Sequence, residues 1–411
     1  MRREALTIDH LGAQGDGVAN ARQGPVYVPF GLPGETIEAE VEKGRARKVE
    51  IKTASPLRVE PACRHFGQCG GCSVQHLEEQ AYREWKRDKV VRALAARGIE
   101  TEVAPLVACA PNARRRVTFS ARRLGNEVLL GFNAGQSHRI VVVEECPVAR
   151  PEIVEALPEL RELAKMIAAT PKAFHMAVTA TATGLDIAVT GAGKLGERQR
   201  RSVIDFVLAR GFARLTADGE IIVEAMKPTV LFAEVPVAIP PGGFLQATLP
   251  AETAMADLVE NHLAGARHIA DLFAGSGTFA LRLAVNARVQ AVEGDQAALA
   301  ALDQAARGWP GLKPVTAEKR DLFHRPLLPR ELDVFDGLVF DPPRAGAELQ
   351  SRQIARSKIG RVAAVSCNPG TLARDLSILI EGGYAVERVV PIDQFLWSPH
   401  VEAVALLRRG R

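Results

Sequence analysis

Val365-Ser366-Cys367-Asn368-Pro369-Gly370-Thr371 is the stretch from which the rest of the chain can be placed. Residues 362–366 are apolar or small, a run suited to a buried strand, and Asn368-Pro369-Gly370 forces a turn straight after it. Cys367 therefore stands at the carboxyl end of a strand, where open α/β sheets bind their ligands. A helix is expected over 372–380, and its positive end would favour a thiolate at Cys367. A buried apolar cysteine at a strand end is the plain alternative, and the flanking sequence decides between them.

Outward from this point strands and helices alternate. Helices are expected over 252–263, 278–285, 297–306 and 348–356, with strands over 268–273, 289–292, 315–316, 337–340, 385–391 and 401–407. Such alternation makes a doubly wound, mostly parallel α/β sheet. In Asp271-Leu-Phe-Ala-Gly275-Ser-Gly277-Thr278 two glycines follow the first strand, without the third glycine of a dinucleotide fingerprint. Glu293 ends the second strand, where a carboxylate can accept ribose hydroxyls. Asp321 follows the third, where one could meet an adenine amino group, and Asp341-Pro342-Pro343-Arg344 ends the fourth. A single acid at a strand end is often only a cap. Their recurrence describes a cleft for an adenosine ligand without phosphates, which S-adenosylmethionine fits better than NAD. A cysteine beside a methyl donor suggests covalent activation of an unreactive carbon. Ser398-Pro399-His400-Val401-Glu402 returns a carboxylate to the same edge as a possible base.

The preceding chain reads differently. Residues 4 to about 56 suggest a small all-β module, with strands over 5–8, 26–28, 36–41 and 48–51 and turns at Gly12, Gly15, Gly17, Gly31 and Gly34. Lys43, Arg45, Arg47, Lys48 and Lys52 flank it, a pattern found in nucleic-acid-binding barrels and in plain structural modules alike. Cys63-x5-Cys69-Gly-Gly-Cys72 suits a tight loop around a metal. Cys146, followed by Pro147, is the best candidate for a fourth ligand and Cys109 the second; zinc and iron–sulfur both accept four thiolates. A helix over 76–97 buries Leu77, Ala81, Trp85 and Leu94. Its other face carries Arg83, Lys86, Arg87, Lys89 and Arg92, and Arg114-Arg115-Arg116 and Arg122-Arg123 follow. Phosphate contacts are a natural use of these groups, with ion pairs to Glu78, Glu79, Glu84 and Asp88 as the alternative. Residues 128–224 mix strands with helical runs over 153–169 and 198–210, an α+β segment with no catalytic signature.

Size and composition bound these readings. The chain has 411 residues, room for two or three domains. Its 24% charged and 47% hydrophobic residues are ordinary for a soluble protein, and no apolar run nears the ~20 residues of a membrane span. The amino terminus leads into a strand pattern instead of an apolar signal core, so a cytoplasmic location is expected. Residues 1–125 hold 21 of the 52 Lys/Arg but 15 of the 48 Asp/Glu, a basic arm suited to a polyanion. Six cysteines in so long a chain argue against a disulfide framework.

The motifs Cys63-x5-Cys69-Gly-Gly-Cys72, Cys146-Pro147, Phe244-x-Gln246, Asp271-Leu-Phe-x-Gly-x-Gly, Asp341-Pro-Pro-Arg344, Ser366-Cys-Asn-Pro369 and His400-Val-Glu402 together resemble the RNA uracil-5 methyltransferases over almost the whole chain. The likeness leans to the TRAM-containing, iron–sulfur branch that modifies 23S rRNA, since the tRNA branch generally lacks the TRAM module and the cluster cysteines. The resemblance implies a Rossmann-like class I methyltransferase domain at 236–411, a TRAM/OB-like β-barrel at 1–57, and a central α+β domain at 58–235. Helix 76–97 would be available to pack on the catalytic domain. It implies that Cys367 adds to carbon 6 of uracil and that Glu402 later removes the carbon 5 proton. S-adenosylmethionine would be held by Gln246, Phe273, Gly275, Gly277, Thr278, Glu293, Asp321 and Asp341, with Gln246 and Asp341 also near the uracil. A 4Fe–4S cluster would be held by Cys63, Cys69, Cys72 and Cys146, in a structural or RNA-shaping role. Two positions depart from the family pattern: Ala247-Thr248 replaces Ala/Val-Asn, and Thr278 stands where relatives often carry Asn. The expected partner is RNA, most of all 23S rRNA, with no membrane and a monomeric enzyme. A tRNA uridine-5 methyltransferase and a non-catalytic iron–sulfur RNA-binding protein are the alternatives.

Overall fold

Alternating apolar residues close the first segment on itself. The computed structural model describes residues 3–410. In it the strands Arg3–Leu11, Gly17–Ala21, Gly24–Val28, Arg45–Thr53 and Thr36–Glu42 form a closed barrel in that order, around Leu6, Ile8, Ala19, Val26, Val28, Ile37 and Ala39. The strand Gly17–Ala21 corrects the reading of Gly17 as a turn. Glycine is needed there for a close approach, because a Cβ would lie 2.8 Å from the carbonyl oxygen of Gly31.

The middle of the chain forms a seven-stranded sheet from Glu220–Glu224 at one edge to Ile140–Val142 at the other. The helices Leu157–Ile167 and Glu197–Ala209 contribute Leu160, Leu163, Val203 and Val207 to its core. The helical run expected over 153–169 is two helices, Pro151–Glu155 and Leu157–Ile167. Pro158, in the first turn of the second, has no N–H to continue the first helix's ladder.

The last segment builds a second seven-stranded sheet in the order Val315–Lys319, Arg288–Glu293, His268–Leu272, Gly337–Phe340, Arg361–Ser366, Glu402–Arg409, Tyr384–Ile392. Its first five strands run parallel, and Glu402–Arg409 is antiparallel to both neighbours. The strand order reverses between His268–Leu272 and Gly337–Phe340, and the crevice at their carboxyl ends is the expected ligand position. Leu372–Ile380 proves too short for the helix that follows Cys367: it spans Pro369–Glu381. Asn368 caps it, accepting from the N–H of Gly370 (3.0 Å), and Pro369 occupies its first turn, so the apparent turn residues are the helix start.

The helix Glu79–Ala95 joins the catalytic core, where Val90 and Leu94 share a cluster with Leu272, Leu338 and Leu376. Its basic residues are engaged within the chain. Lys86 is fully buried and paired with Asp393 at 2.6 Å, Arg87 donates to the carbonyls of Val103 and Ala104, and Lys89 sits over the Trp85 ring. Arg83 pairs with Glu79, and Arg92 with Asp88. Arg114, Arg115, Arg116, Arg122 and Arg123 all donate to backbone carbonyls. Charge in the sequence does not say which way a side chain turns, and Lys86 and Arg115 turn inward. No helix among the described residues is long and apolar enough to cross a membrane.

Candidate active site

Register brings the two proposed catalytic groups together. Ser366 pairs with Ala403 across the antiparallel strands Arg361–Ser366 and Glu402–Arg409, so Cys367 and Glu402 are the next facing positions. Cys367 is half-buried and Glu402 almost fully buried. Asp341 ends the adjacent strand at the same edge. The expectation of a favoured thiolate does not hold for the protein alone. Burial, then the carboxylates of Glu402 and Asp341, push the Cys367 thiol up to about 11, outweighing Arg344 and a backbone N–H. Glu402 and Asp341 are both raised, by burial first, and Glu402 further by Asp341. Arg344 is the cation beside the thiol, tied by 3.1 Å to Nδ1 of His400. The Asp-Pro-Pro-Arg motif alone gives Arg344 no role.

A chain of amides links the carboxylates. Gln246 donates to Oδ2 of Asp341 at 2.8 Å, and Gln394 donates to Oε1 of Gln246 at 2.9 Å and to Oε2 of Glu402. The segment carrying Gln246 is fixed by Arg115, whose N–H and Nε donate to the carbonyls of Ala247 (3.0 Å) and Gln246 (2.9 Å) and whose guanidinium pairs with buried Glu252. Thr248 caps the helix Leu249–Leu263, accepting from the N–H of Ala251 at 3.3 Å. The change from Asn at that position therefore retains a capping oxygen.

Around the crevice, Phe273 takes a left-handed φ of 62° immediately after its strand, followed by Gly275 at 56° and Gly277 at 106°. Glu293 accepts from the N–H groups of Gly275 (2.9 Å) and Asp295 (2.7 Å), which ties the glycine turn to the second strand end. Thr278 is half-buried just beyond the turn. Asp321 lies exposed at the rim, accepting from the Phe323 N–H (2.9 Å) and facing Nδ1 of His324 at 2.8 Å. The ring of Phe323 stands 5.4 Å from that of Phe273, an aromatic pair at the rim that the sequence reading missed. Asp271 is fully buried, and burial, with Asp341 next, raises its carboxyl well above the usual carboxylate range.

A cavity of about 540 Å³ adjoins this network. Cys63, Cys69, Cys72 and Cys146 all line it, together with Gln246, Gln394, His400 and the ring of Phe244, which is 68% exposed. The cysteine loop is pinned there by Gly70, whose N–H donates to Asn133 at 2.9 Å and whose missing Cβ would strike that same oxygen. Arg64 pairs with Glu144 and Glu145, just before Cys146. Burial raises Cys63, Cys69 and Cys72, the last to about 12, and the charge of Cys146 adds to each. Cys109, the second candidate, is not in this wall and lies near Asp393 and Thr248. Among the described residues no three His, Cys, Asp or Glu side chains converge as ligands of a single ion.

Comparison with known proteins places this geometry. An RNA methyltransferase of Mesorhizobium japonicum is 61% identical over 99% of this chain and 98% of its own length. The 23S rRNA (uracil(1939)-C(5))-methyltransferase of Halomonas elongata is 35% identical over 98% of this chain and 89% of its own. The sequence profile of the tRNA (uracil-5-)-methyltransferase family matches residues 318–410. The chain belongs to the RNA uracil-5 methyltransferase family. The tRNA (uracil-54, C5)-methyltransferase of Pyrococcus abyssi, solved with S-adenosyl-L-homocysteine, superposes with a TM-score of 0.77 at 25% identity, over 98% of this chain and 99% of that one. The match extends across barrel, central sheet and catalytic sheet alike. Both Cys367 and Glu402 of this RNA uracil-5 methyltransferase fall within the profile-matched segment.

Proposed function

We propose that this enzyme methylates carbon 5 of a uridine in 23S rRNA through a covalent bond between Cys367 and the base. The observation that carries the reading is the register that sets Cys367 opposite Glu402 at the strand ends, beside Asp341. S-adenosylmethionine supplies an electrophilic methyl group. The residues fit it: Gly275 leaves the backbone open to a close neighbour, Gly277 completes the turn with its Cα packed on Leu281 and Leu302, Glu293 and Asp321 offer carboxylates to ribose and adenine, and Phe273 and Phe323 present rings at the rim. Gln246, Thr278 and Asp341 complete the set of contacts. The family likeness to the Halomonas elongata enzyme favours ribosomal over transfer RNA.

Carbon 5 of uracil is a poor nucleophile. The Cys367 sulfur adds to carbon 6, and the electrons of the 5,6 double bond move to oxygen 4. The enolate gives carbon 5 the reactivity to take the methyl group. Carbon 5 then bears both hydrogen and methyl, and the Glu402 carboxylate removes the proton. The returning electrons re-form the double bond and expel the sulfur. The base must leave any stack to reach this site, at a cost of a few kcal/mol, and the exposed Phe244 ring beside Gln246 offers a face to stack on.

For the four cysteines that line one cavity, the family resemblance favours a 4Fe–4S cluster over a single ion. Zinc wants every sulfur about 2.3 Å from one point, whereas a cluster spreads its attachment over several corners. Burial favours the neutral thiols here, and a bound cationic centre would hold them as thiolates. Anaerobically purified protein should carry about four irons and four sulfides per chain, lost in Cys72→Ala; stoichiometric zinc without sulfide would refute the cluster. For the reaction itself, 5-methyluridine should be mapped across ribosomal and transfer RNA in cells with and without the gene. One ribosomal position should lose the modification; a loss confined to tRNA would replace the rRNA reading.

A further inference from the structure

Gln394 lies in the connection between the last two strands, 3% exposed, and all of its polar atoms are engaged. Its Oε1 accepts from the backbone N–H of Ala247 at 2.8 Å, and its Nε2 donates to Gln246 and Glu402. A backbone N–H can only donate, so the Gln394 oxygen must face Ala247 and its two hydrogens must face the side chains. That fixes the next amide as well: the Gln246 oxygen points to Gln394 and its NH2 to Asp341. On Glu402, Oε2 is held by Gln394 while Oε1 is buried and, among the described residues, without a hydrogen-bond partner.

The connection is itself held rigid. Asp393 accepts from Lys86 at 2.6 Å, from the Tyr82 hydroxyl and from the Phe395 N–H. The Tyr82 oxygen takes the N–H of Trp397 at 2.8 Å, and the carbonyl of Trp397 accepts from Ser73, next to Cys72, at 2.8 Å. A group locked from both sides can fix the angle of its partner.

We propose that Gln394 is a positioning residue for proton removal: it grips Glu402 by one oxygen, leaves the other turned to the carbon 5 proton, and keeps Gln246 aligned with it. A donor at Oε2 also stabilises the ionised carboxylate, the form that accepts the proton. This inference rests on the proposed reaction, and on the order of its steps. Without Gln394 the sulfur still adds and the methyl still transfers, but proton removal slows and the enzyme stays joined to its product.

The test uses the full-length protein, labelled S-adenosylmethionine and an RNA that the wild type methylates. In Gln394→Leu, turnover should fall on the order of 10- to 100-fold, the loss of one hydrogen bond to a charged group. The fraction of enzyme covalently bound to RNA on denaturing gels should rise. The acidic limb of the turnover profile should move to higher pH, because the unassisted carboxyl holds its proton longer. Gln394→Glu, matched in length and shape, keeps an acceptor for Ala247 but sets a second carboxyl against Glu402. It should shift the limb further in the same direction, and it carries the test if the leucine variant fails to fold. A loss of turnover with no adduct and no movement of the limb would reveal a merely structural role and overturn the proposal, as would unchanged turnover. A wild type that forms no 5-methyluridine, or an adduct that survives Cys367→Ala, would instead bring down the reaction on which the proposal rests.

Discussion

Cys367→Ala should abolish methyl transfer, by at least about 10⁴-fold, and remove every covalent RNA adduct while leaving the fold intact. The magnitude follows from the chemistry, because without addition at carbon 6 nothing else in the crevice makes carbon 5 electron-rich. Tolerance of the change is expected because the side chain is half-buried and Ala fills most of its space. Radiolabel transfer into RNA and a denaturing gel measure the two effects. Retained turnover would rule out the sulfur route. Cys367→Ser should be nearly as inactive, since a hydroxyl is harder still to ionise beside two carboxylates. The surroundings of the thiol also set a pH dependence. Cys367 is raised to about 11, and Glu402 and Asp341 are raised as well. Cys367 reacts as thiolate and Glu402 as base, both deprotonated, so turnover should climb with pH through neutrality and beyond. A rate that falls over that range would show that the protonated forms carry the reaction.

Much of this site could be read from the sequence because a parallel sheet repeats its logic. Each strand is a short apolar run, each ends where the ligand crevice lies, and Glu293, Asp341 and Cys367 fall at those ends. Gln394 could not be read this way. It occupies an irregular connection, and its partner Gln246 is 148 residues away, so neither periodicity nor spacing points to it. Arg115 shows the same limit from the other side. In the sequence it belongs to a basic triplet facing an imagined phosphate; in the fold it is buried against Glu252 and holds the Gln246 segment. The protonation of Cys367 is hidden for a related reason. The helix start and the carboxylates at the same edge are visible in the sequence, but the burial that weighs most against the thiolate is set by the fold.

Glu402→Gln should separate the two halves of the reaction. The amide keeps the length of the side chain and a place for the Gln394 donor, but it cannot accept the carbon 5 proton. Addition by Cys367 and methyl transfer come before that step, so the variant should complete one turnover's worth of transfer and then stop with the RNA attached. Steady-state turnover should drop on the order of 10²- to 10⁴-fold, the usual contribution of a positioned base. A burst of label equal to the enzyme concentration, found with the protein on a denaturing gel, is the signature to seek. The substitution also removes one of the two charges that raise the Cys367 thiol, so adduct formation should reach its maximum at lower pH than in the wild type. That second effect distinguishes a base from a bystander: a residue that only shaped the pocket would slow both halves together. Free methylated RNA released at the wild-type rate would remove Glu402 from the base role and leave Asp341, at the adjoining strand end, as the carboxylate to test.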